Sequence, residues 1–500
     1  MSELYERTRV FTARLKEKGY RVIEKWECEF RNDIKNDVEL NDFYQLYKPY
    51  EPLKPREASY GGRTNATKLF HECKNGEQIK YVDFTSLYPY VCKYAHFPIG
   101  HPTVYVGDQI PDKVEGLLKC KILPPQNLLH PVLPYRTRNK LMFPLCAKCA
   151  DENVSDCIHS SEERALKGTW VTIEIEKALS LGYKILEKYE AWHFENTKQY
   201  NEITKSGGIW DSYINLWLKT KQEASGWPSW CQSISDKEKY IELYEKKEGV
   251  QLDQNSIERN EGLRSLSKLM LNSFWGKFGQ NAKKDKVTYV DDPKEYVQML
   301  TSDKIEVCDI RYVNEEMVML RWREKDDFVE SLPNTNVILA AYTTAHARLK
   351  LYQLLEKLQD RVLYFDTDSV VYVHVPSQWN PPLGDYLGEL KDETNGVPIR
   401  CFVSGGAKNY AYELINGQCV CKIRGFTLNV RNSIKLNMHV MSQLIVNKDF
   451  TTTVPIHNPN AIKRVNGILM SKSEEKRYKL VYDKRVVKNN LTTVPFGYVD

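Results

Sequence analysis

Short stretches of this 500-residue chain set carboxylates, cations and aromatic rings where they can act together. Tyr364-Phe-Asp-Thr-Asp-Ser369 places Asp366 and Asp368 two residues apart, after an apolar run and before Val-Val-Tyr-Val. Side chains at i and i+2 share one face of a strand, so both are expected close together and exposed at a hairpin tip. Like charges held that close are costly without a cation. A site that clamps two divalent ions about 3.5–4 Å apart needs a carboxylate from a further element. Asp83, in Tyr81-Val-Asp-Phe-Thr-Ser-Leu-Tyr-Pro89, is the best candidate. It ends a predicted strand, and Ser86, Leu87 and Tyr88 follow at a helix start whose outward N–H groups suit phosphate. A surface turn with acidic residues is the plain alternative for either stretch taken alone.

Arg264, Lys268, Asn272 and Trp275 recur at spacings of four, four and three, on one face of a helix. Two cations one turn apart, beside an amide and an aromatic ring, suit a triphosphate with its base or sugar beyond. Leu263, Leu266, Leu269, Met270 and Phe274 also fall at helical spacing and are expected to form an apolar opposite face. Cys146, Cys149, Cys157 and His159 form a C-x2-C-x7-C-x-H cluster. That set suits one tetrahedral structural zinc; four reduced buried side chains, or a redox role, are the alternatives. The remaining cysteines of the twelve are mostly scattered singly, as free thiols in a reducing compartment are.

The elements that must position these groups make an α+β chain without internal repeats. Residues 1–25 are predicted helical, with a strand near 22–27. Pro52, Pro55, Gly61 and Gly62 mark an extended approach to a strand over 79–84, and a helix follows from Ser86. Residues 99–210, rich in Pro, Cys and short strands, have the character of an insertion. Residues 211–279 are helical, and 283–330 alternate as short strands. A long helix over 337–359 leads into the acidic hairpin.

YVDFTSLYP, KLMLNSFWG and YFDTDS, in that order, resemble motifs A, B and C of family B DNA polymerases. The text KLMLNSFWGKFG most resembles the protein-primed branch, which includes bacteriophage, adenovirus, linear-plasmid and Maverick/Polinton transposon enzymes. The resemblance covers about residues 59–500 and implies a right-hand fold of palm, fingers and thumb. Its segments would be 59–98, palm with motif A; 99–210, an insertion resembling the first terminal-protein region; and 211–282, fingers with motif B. A second, β-rich insertion over 283–330, a palm segment over 331–425 with motif C, and a basic thumb over 426–500 would complete it. Only an N-terminal segment, 1–58, precedes these, too short for the exonuclease that family members carry. The expectation is polymerisation without proofreading, or a fragment of a longer protein.

The resemblance also implies roles. Asp83 and Asp368 would hold two Mg2+ or Mn2+ ions, with the carbonyl of Phe84 or Val82 completing a shell and Asp366 in support. Tyr88 would lie under the deoxyribose as a steric gate. Arg264 and Lys268 would hold the triphosphate, with Ser86, Leu87, Asn272 and Trp275 in the same nucleotide pocket. Thr367 and Ser369 would shape the turn. Lys408 and Tyr410, in Gly405-Gly-Ala-Lys-Asn-Tyr410, would hold the primer terminus. Gly61 and Gly62 belong to the element the family writes Tyr-x-Gly-Gly, although here the aromatic, Tyr60, stands one residue late. Trp275 stands where motif B usually has tyrosine.

Composition fits this reading. Apolar residues make up 42% and charged residues 27% of the chain. No apolar run approaches the ~20 residues that span a membrane, and the start lacks the apolar core of a secretory signal. A soluble intracellular protein, without a membrane partner, is expected, with the nucleus or a viral replication compartment as the implied location. The net charge is +5, yet residues 426–500 alone hold twelve Lys and Arg against five Asp and Glu. Such a basic module suits a polyanion. The implied partners are primer–template DNA, deoxynucleoside triphosphates and a terminal priming protein, acting on a monomer. Two rival functions stand beside this one. A reverse transcriptase usually carries Tyr-x-Asp-Asp and lacks KLMLNSFWG. A nucleic-acid-binding remnant without activity would not need intact Asp83, Asp366, Asp368 and Lys268.

Overall fold

Strands Val362–Asp366 and Ser369–His374 are apolar at most positions, and Gln78–Phe84 at Ile79, Tyr81, Val82 and Phe84, as strands covered on both faces are. Their side chains alternate between two cores. Ile79, Tyr81, Val371 and Val373 pack with Phe402, Met441 and Ile445 on one side. Val82, Phe84, Val370 and Tyr372 pack with Ala341, Leu351 and Leu355 on the other. The second cover is the long helix Val337–Leu358, started by Asn336, whose side chain accepts from the Leu339 N–H.

The computed structural model describes residues 2–46, 51–281, 283–325, 334–465 and 468–499. The boundary expected at 330/331 lies outside them. The chain divides into two compact units. One comprises Met1–Pro52, Asn281–Leu332 and Arg464–Ile468. It holds helices Ser2–Glu17, Glu27–Asn36 and Val38–Leu46, and a three-stranded antiparallel sheet of Lys286–Val290, Val318–Glu324 and Ile305–Tyr312. The first helix stops at Glu17 and Gly19 turns the chain at φ +83°, so it does not run to residue 25. The strand expected near 22–27 is absent as well: Ile23 is exposed, and no neighbour among the described residues pairs with it. Within the β-rich segment a helix, Pro293–Thr301, separates two strands; Pro293 at its first turn and the Asp292 cap set its start.

The second unit is built on a mixed-order antiparallel sheet. Along it run Thr64–Ala66, Val362–Asp366, Ser369–His374, Gln78–Phe84, Ile399–Gly406, Asn409–Leu414 and Cys419–Ile423. Residues expected as an insertion of short strands form a second sheet, in the order Thr103–Val106, Lys184–His193, Gly116–Leu123, Leu166–Val171. Two of these are long, ten and eight residues. Trp170, Ile122 and Leu166 from this sheet share a core with Tyr60 and with Tyr352 of the long helix. One face of this sheet therefore contributes to the unit's core. No helix of the described residues is long and apolar enough to cross a membrane.

One buried ion pair joins these parts. The Arg348 guanidinium donates to both Glu174 carboxylate oxygens at 2.8 and 2.7 Å, with side chains 3% and 1% exposed. Its remaining nitrogen donates to the carbonyls of Tyr60 and Gly61 at 2.7 and 3.0 Å. Arg348→Met leaves Glu174 buried and unpaired, and urea melts are expected to show a loss of about 3–5 kcal/mol. Arg348→Met with Glu174→Leu should recover part of it. A double variant no better than the single one would assign the loss to the Tyr60 and Gly61 carbonyls.

Candidate active site

Ser369 pairs with Asp83 across the central strands, and the Phe84 N–H donates to the Asp368 carbonyl at 2.8 Å. This register sets Asp83 and Asp368 together on the floor of a cleft of about 790 Å³. Burial, and next the Asp368 charge, raise the Asp83 carboxyl to about 7. Asp368 is also raised, chiefly by burial, with Asp366 adding to the shift and Lys408 opposing it. Two desolvated carboxylates facing one cleft are a charge excess that a divalent cation corrects. With the Phe84 main chain beside them, they form a hard oxygen donor set, which suits Mg2+ or Mn2+.

The turn between Asp366 and Ser369 decides which aspartate enters the cleft. The Asp368 N–H donates to the Asp366 carbonyl at 2.6 Å, closing a three-residue turn about Thr367 at φ +57°. The Thr367 N–H donates to the Arg63 carbonyl at 2.7 Å. A Cβ on Gly62 would stand 2.6 Å from Thr367 Oγ1, so Gly62 is what lets the loop close on the turn. Gly61 contributes its carbonyl to Arg348 instead.

Asp366 and Asp368 were expected near each other and exposed on one rim; they are neighbours, but the structure turns only Asp368 to the cleft. Both are half-buried, and Asp366 does not line the cleft. Lys408 Nζ donates to its two oxygens at 2.7 and 2.9 Å, and Thr64 Oγ1 donates at 2.6 Å. The tight turn breaks the i, i+2 alternation of an extended strand, which is the physical reason. Ser369 is buried and its hydroxyl donates to the Asp366 carbonyl at 3.3 Å. Lys408 lies at φ +60°, and its N–H donates to the Tyr364 hydroxyl at 2.9 Å. Tyr410 is buried, its hydroxyl 3.0 Å from that of Tyr81 and its ring 4.9 Å from Tyr364. It supports the hairpin from beneath, and its ring is not open to a ligand.

Arg264, Lys268, Asn272 and Trp275 all line the cleft from helix Glu261–Phe278. The apolar face expected opposite them is not buried: Leu263, Leu266 and Leu269 are exposed, Leu269 by 60%. Only Ser267 and Leu271 are enclosed, and the Tyr213 hydroxyl donates to the Met270 carbonyl at 3.1 Å. The helix meets Asp211–Glu223 on its Leu271 side, and three of its four leucines stay outside. Across the cleft, Ser86 caps helix Leu87–Tyr94 at φ +53° with no side-chain cap bond. The Leu87 side chain is buried, leaving its main chain to face the cleft. Tyr88 stacks on Trp275, ring centroids 4.2 Å apart at 20°. The Trp275 indole N–H is buried without a hydrogen-bond partner among the described residues.

Sequence reasoning missed Lys221 and Lys391, which line the same cleft. Burial, then Arg264 and Lys268, lower the Lys221 ammonium to about 8. Four cations thus converge where four carboxylates, those of Asp83, Asp368, Asp385 and Glu393, also face. A signal for Lys221 existed: it follows the buried Ile214 and Leu218 at helical spacing, a lysine on an inward face. Lys391 had none, because its strand Leu390–Asp392 enters only by pairing with 78–84.

Cys146, Cys149, Cys157 and His159 come together elsewhere in the same unit, their ligand atoms all within 4.8 Å of one another. They share no residue with the cleft.

Residues 37–235 and 237–360 match the family model described as DNA polymerase type B, organellar and viral. Over 324 residues the chain is 22% identical to a probable DNA polymerase of Neurospora intermedia, a match covering 62% of this chain and 26% of that protein. The chain therefore spans about a quarter of that relative. Phi29 DNA polymerase complexed with primer-template DNA and incoming nucleotide substrates superposes with a TM-score of 0.51 at 15% identity, covering 90% of this chain and 67% of that one. The same polymerase complexed with single-stranded DNA gives 0.50 at 15%, covering 94% and 70%. At that identity the likeness is one of fold, and the fold is the α+β one expected from the sequence.

The Asp83 shift has a consequence for stability. In the folded chain Asp83 keeps its proton up to about pH 7, whereas an unfolded carboxyl loses it near 3.8. Between those values the folded state binds more protons, so this group makes metal-free stability fall as pH rises. Thermal melts in chelator from pH 5 to pH 8 should show that decline, and Asp83→Asn should flatten it. An unchanged slope in the variant would assign the titration to another group.

Proposed function

Since this chain belongs to the type B DNA polymerases, organellar and viral, we propose that it adds deoxynucleotides to a primer 3′-hydroxyl on a DNA template. One observation carries this reading: Asp83 and Asp368 are registered side by side beneath Arg264, Lys268, Lys221 and Lys391. Phosphoryl transfer needs charge neutralised on the attacking oxygen, the leaving oxygen and the phosphates between them, with little covalent work for the protein. Two divalent ions held by Asp83, Asp368 and the Phe84 carbonyl would supply the Lewis acidity at the first two.

The chain's own groups do the rest. Arg264, Lys268 and Lys221 bind the triphosphate, and the main chain at Ser86–Tyr88 faces it from a helix start. An anion bound there also relieves the crowding that lowers Lys221. Tyr88, backed by Trp275, forms the flat wall on which the sugar rests and excludes a 2′-hydroxyl by packing. Lys408 neutralises Asp366 and so keeps that carboxylate out of competition for the ions, while its main chain lies near the primer side with Tyr410 beneath. Zinc enters this reading only as a structural ion at the Cys146 cluster.

In the terms of the family, the central sheet is the palm, 211–282 the fingers and 426–500 the thumb, whose basic surplus suits duplex phosphates. The segment 99–210 is the surface assigned to a priming protein. Action as a monomer is part of this proposal.

Primer extension with Mg2+ tests this. Asp368→Asn is expected to lower nucleotide addition by three decades or more, about 4 kcal/mol of transition-state stabilisation, with circular dichroism unchanged. Extension near the wild-type rate would remove the carboxylate assignment.

Sugar choice gives a second test. Tyr88→Val opens the wall beside Trp275, and discrimination against ribonucleotides should fall by roughly two to three decades, at about 1.4 kcal/mol each. Competition assays with an unaltered ratio would put the gate at another residue.

A further inference from the structure

The cysteine cluster lies where the end of the chain crosses the fold. We infer that Cys146, Cys149, Cys157 and His159 hold one Zn2+, and that the loaded site is the clasp fastening residues 491–499 across the edge of the central sheet.

The donor set has the dimensions of a tetrahedron. His159 Nδ1 lies 3.4 Å from Cys146 Sγ, 3.2 Å from Cys149 Sγ and 4.0 Å from Cys157 Sγ. Zn–S bonds of about 2.3 Å and Zn–N bonds of about 2.0–2.1 Å give ligand-to-ligand edges of roughly 3.5–3.8 Å. All the cysteines are free thiols, and Cys146 and Cys149 are fully buried. The Cys149 N–H donates to Cys146 Sγ at 3.3 Å, a bond that strengthens when the sulfur carries thiolate charge. Three soft sulfurs and an imidazole select zinc over the hard cations that suit the carboxylate cleft.

The ligands also form the seat of the terminal segment. Phe496 is buried with Met142, Cys146, Cys149 and Ala150, and its carbonyl accepts from the Leu145 N–H at 2.7 Å. Gly497, at φ +86°, passes so close to Cys146 that a Cβ there would overlap the cysteine's own. The Val499 N–H donates to the Gln126 carbonyl at 2.9 Å. Upstream, the segment is tied to the sheet edge. The Thr493 N–H donates to the Thr67 carbonyl at 2.7 Å, its hydroxyl to the Ala66 carbonyl at 2.6 Å, and the Leu69 N–H to the Leu491 carbonyl at 2.8 Å. That edge strand, Thr64–Ala66, pairs Thr64 with Asp366. The apolar group around Phe496 is small, so an ion that locks Cys146 and Cys149 in place supplies what a larger core would.

Metal content of the full-length chain, purified reduced and without chelator, tests the first half: about one zinc per chain is expected. Co2+ in its place should show thiolate-to-metal charge transfer and the visible bands of a tetrahedral ion. Less than about half an equivalent of zinc, with no such spectrum, overturns the site. Hydrogen exchange tests the clasp. Zinc removal should raise exchange at Thr493, Phe496 and Val499 at least tenfold, while strands 78–84 and 362–374 keep their protection. Cys157→Ser, at the half-exposed ligand, should act in the same direction without disturbing the buried pair. Gly497→Ala should speed zinc loss to a chelator. Zinc bound at full stoichiometry, with exchange at 491–499 indifferent to its removal, overturns the clasp. None of these readouts involves nucleotide addition, so they stand or fall apart from the polymerase reading.

Discussion

Two carboxylates that repel one another, Asp83 in a strand and Asp368 in the turn that leads into its neighbour, are held together by a register that the cores on both faces forbid to change. Ser369 opposite Asp83 follows from Val370 and Tyr372 facing the long helix while Val371 and Val373 face the other core. A one-residue slip would exchange those sets across the sheet. The cost of bringing Asp83 and Asp368 together is thus imposed by apolar packing and appears as their raised proton affinity.

Much of the second unit keeps that arrangement exact to a side chain. Glu174 fixes Arg348, Arg348 fixes the carbonyls of Tyr60 and Gly61, and Gly62 lies against Thr367 at the turn. A buried ion pair adds little net stability over well-packed apolar residues. Here its geometry is the useful product, since it ties helix Thr172–Ser180, which follows the sheet strand Leu166–Val171, to the loop that backs the hairpin. Arg63 works in the same layer: its carbonyl accepts from Thr367, and its guanidinium lies 4.2 Å from the Phe143 ring.

The two aspartates of the hairpin acquire different surroundings from a single tight turn. Asp366 meets a lysine and a threonine and is neutralised inside the protein. Asp368 faces the cleft, where only more distant cations offset it. Neighbouring carboxylates of identical chemistry are in this way given separate surroundings, one paired within the protein and one lining the cleft.

The sequence by itself determined the strand 79–84, the acidic hairpin, the long helix and the polar stripe Arg264–Trp275, because each depends on spacing within one element. It also brought Asp83 and Asp368 under suspicion together, and it marked the four zinc-type ligands. The strand near 22–27 was misread, since Val22 and Ile23 have strand chemistry but no partner to pair with among the described residues. Leu263, Leu266 and Leu269 were misread for a related reason: helical spacing defines a face but not what covers it. Lys391, the Asp366–Lys408 pair and the seat of Phe496 on the cysteine cluster were decided only by the tertiary structure. Each joins elements far apart in the chain. Their meeting is set by how the sheet orders its strands, and local periodicity holds no record of that order.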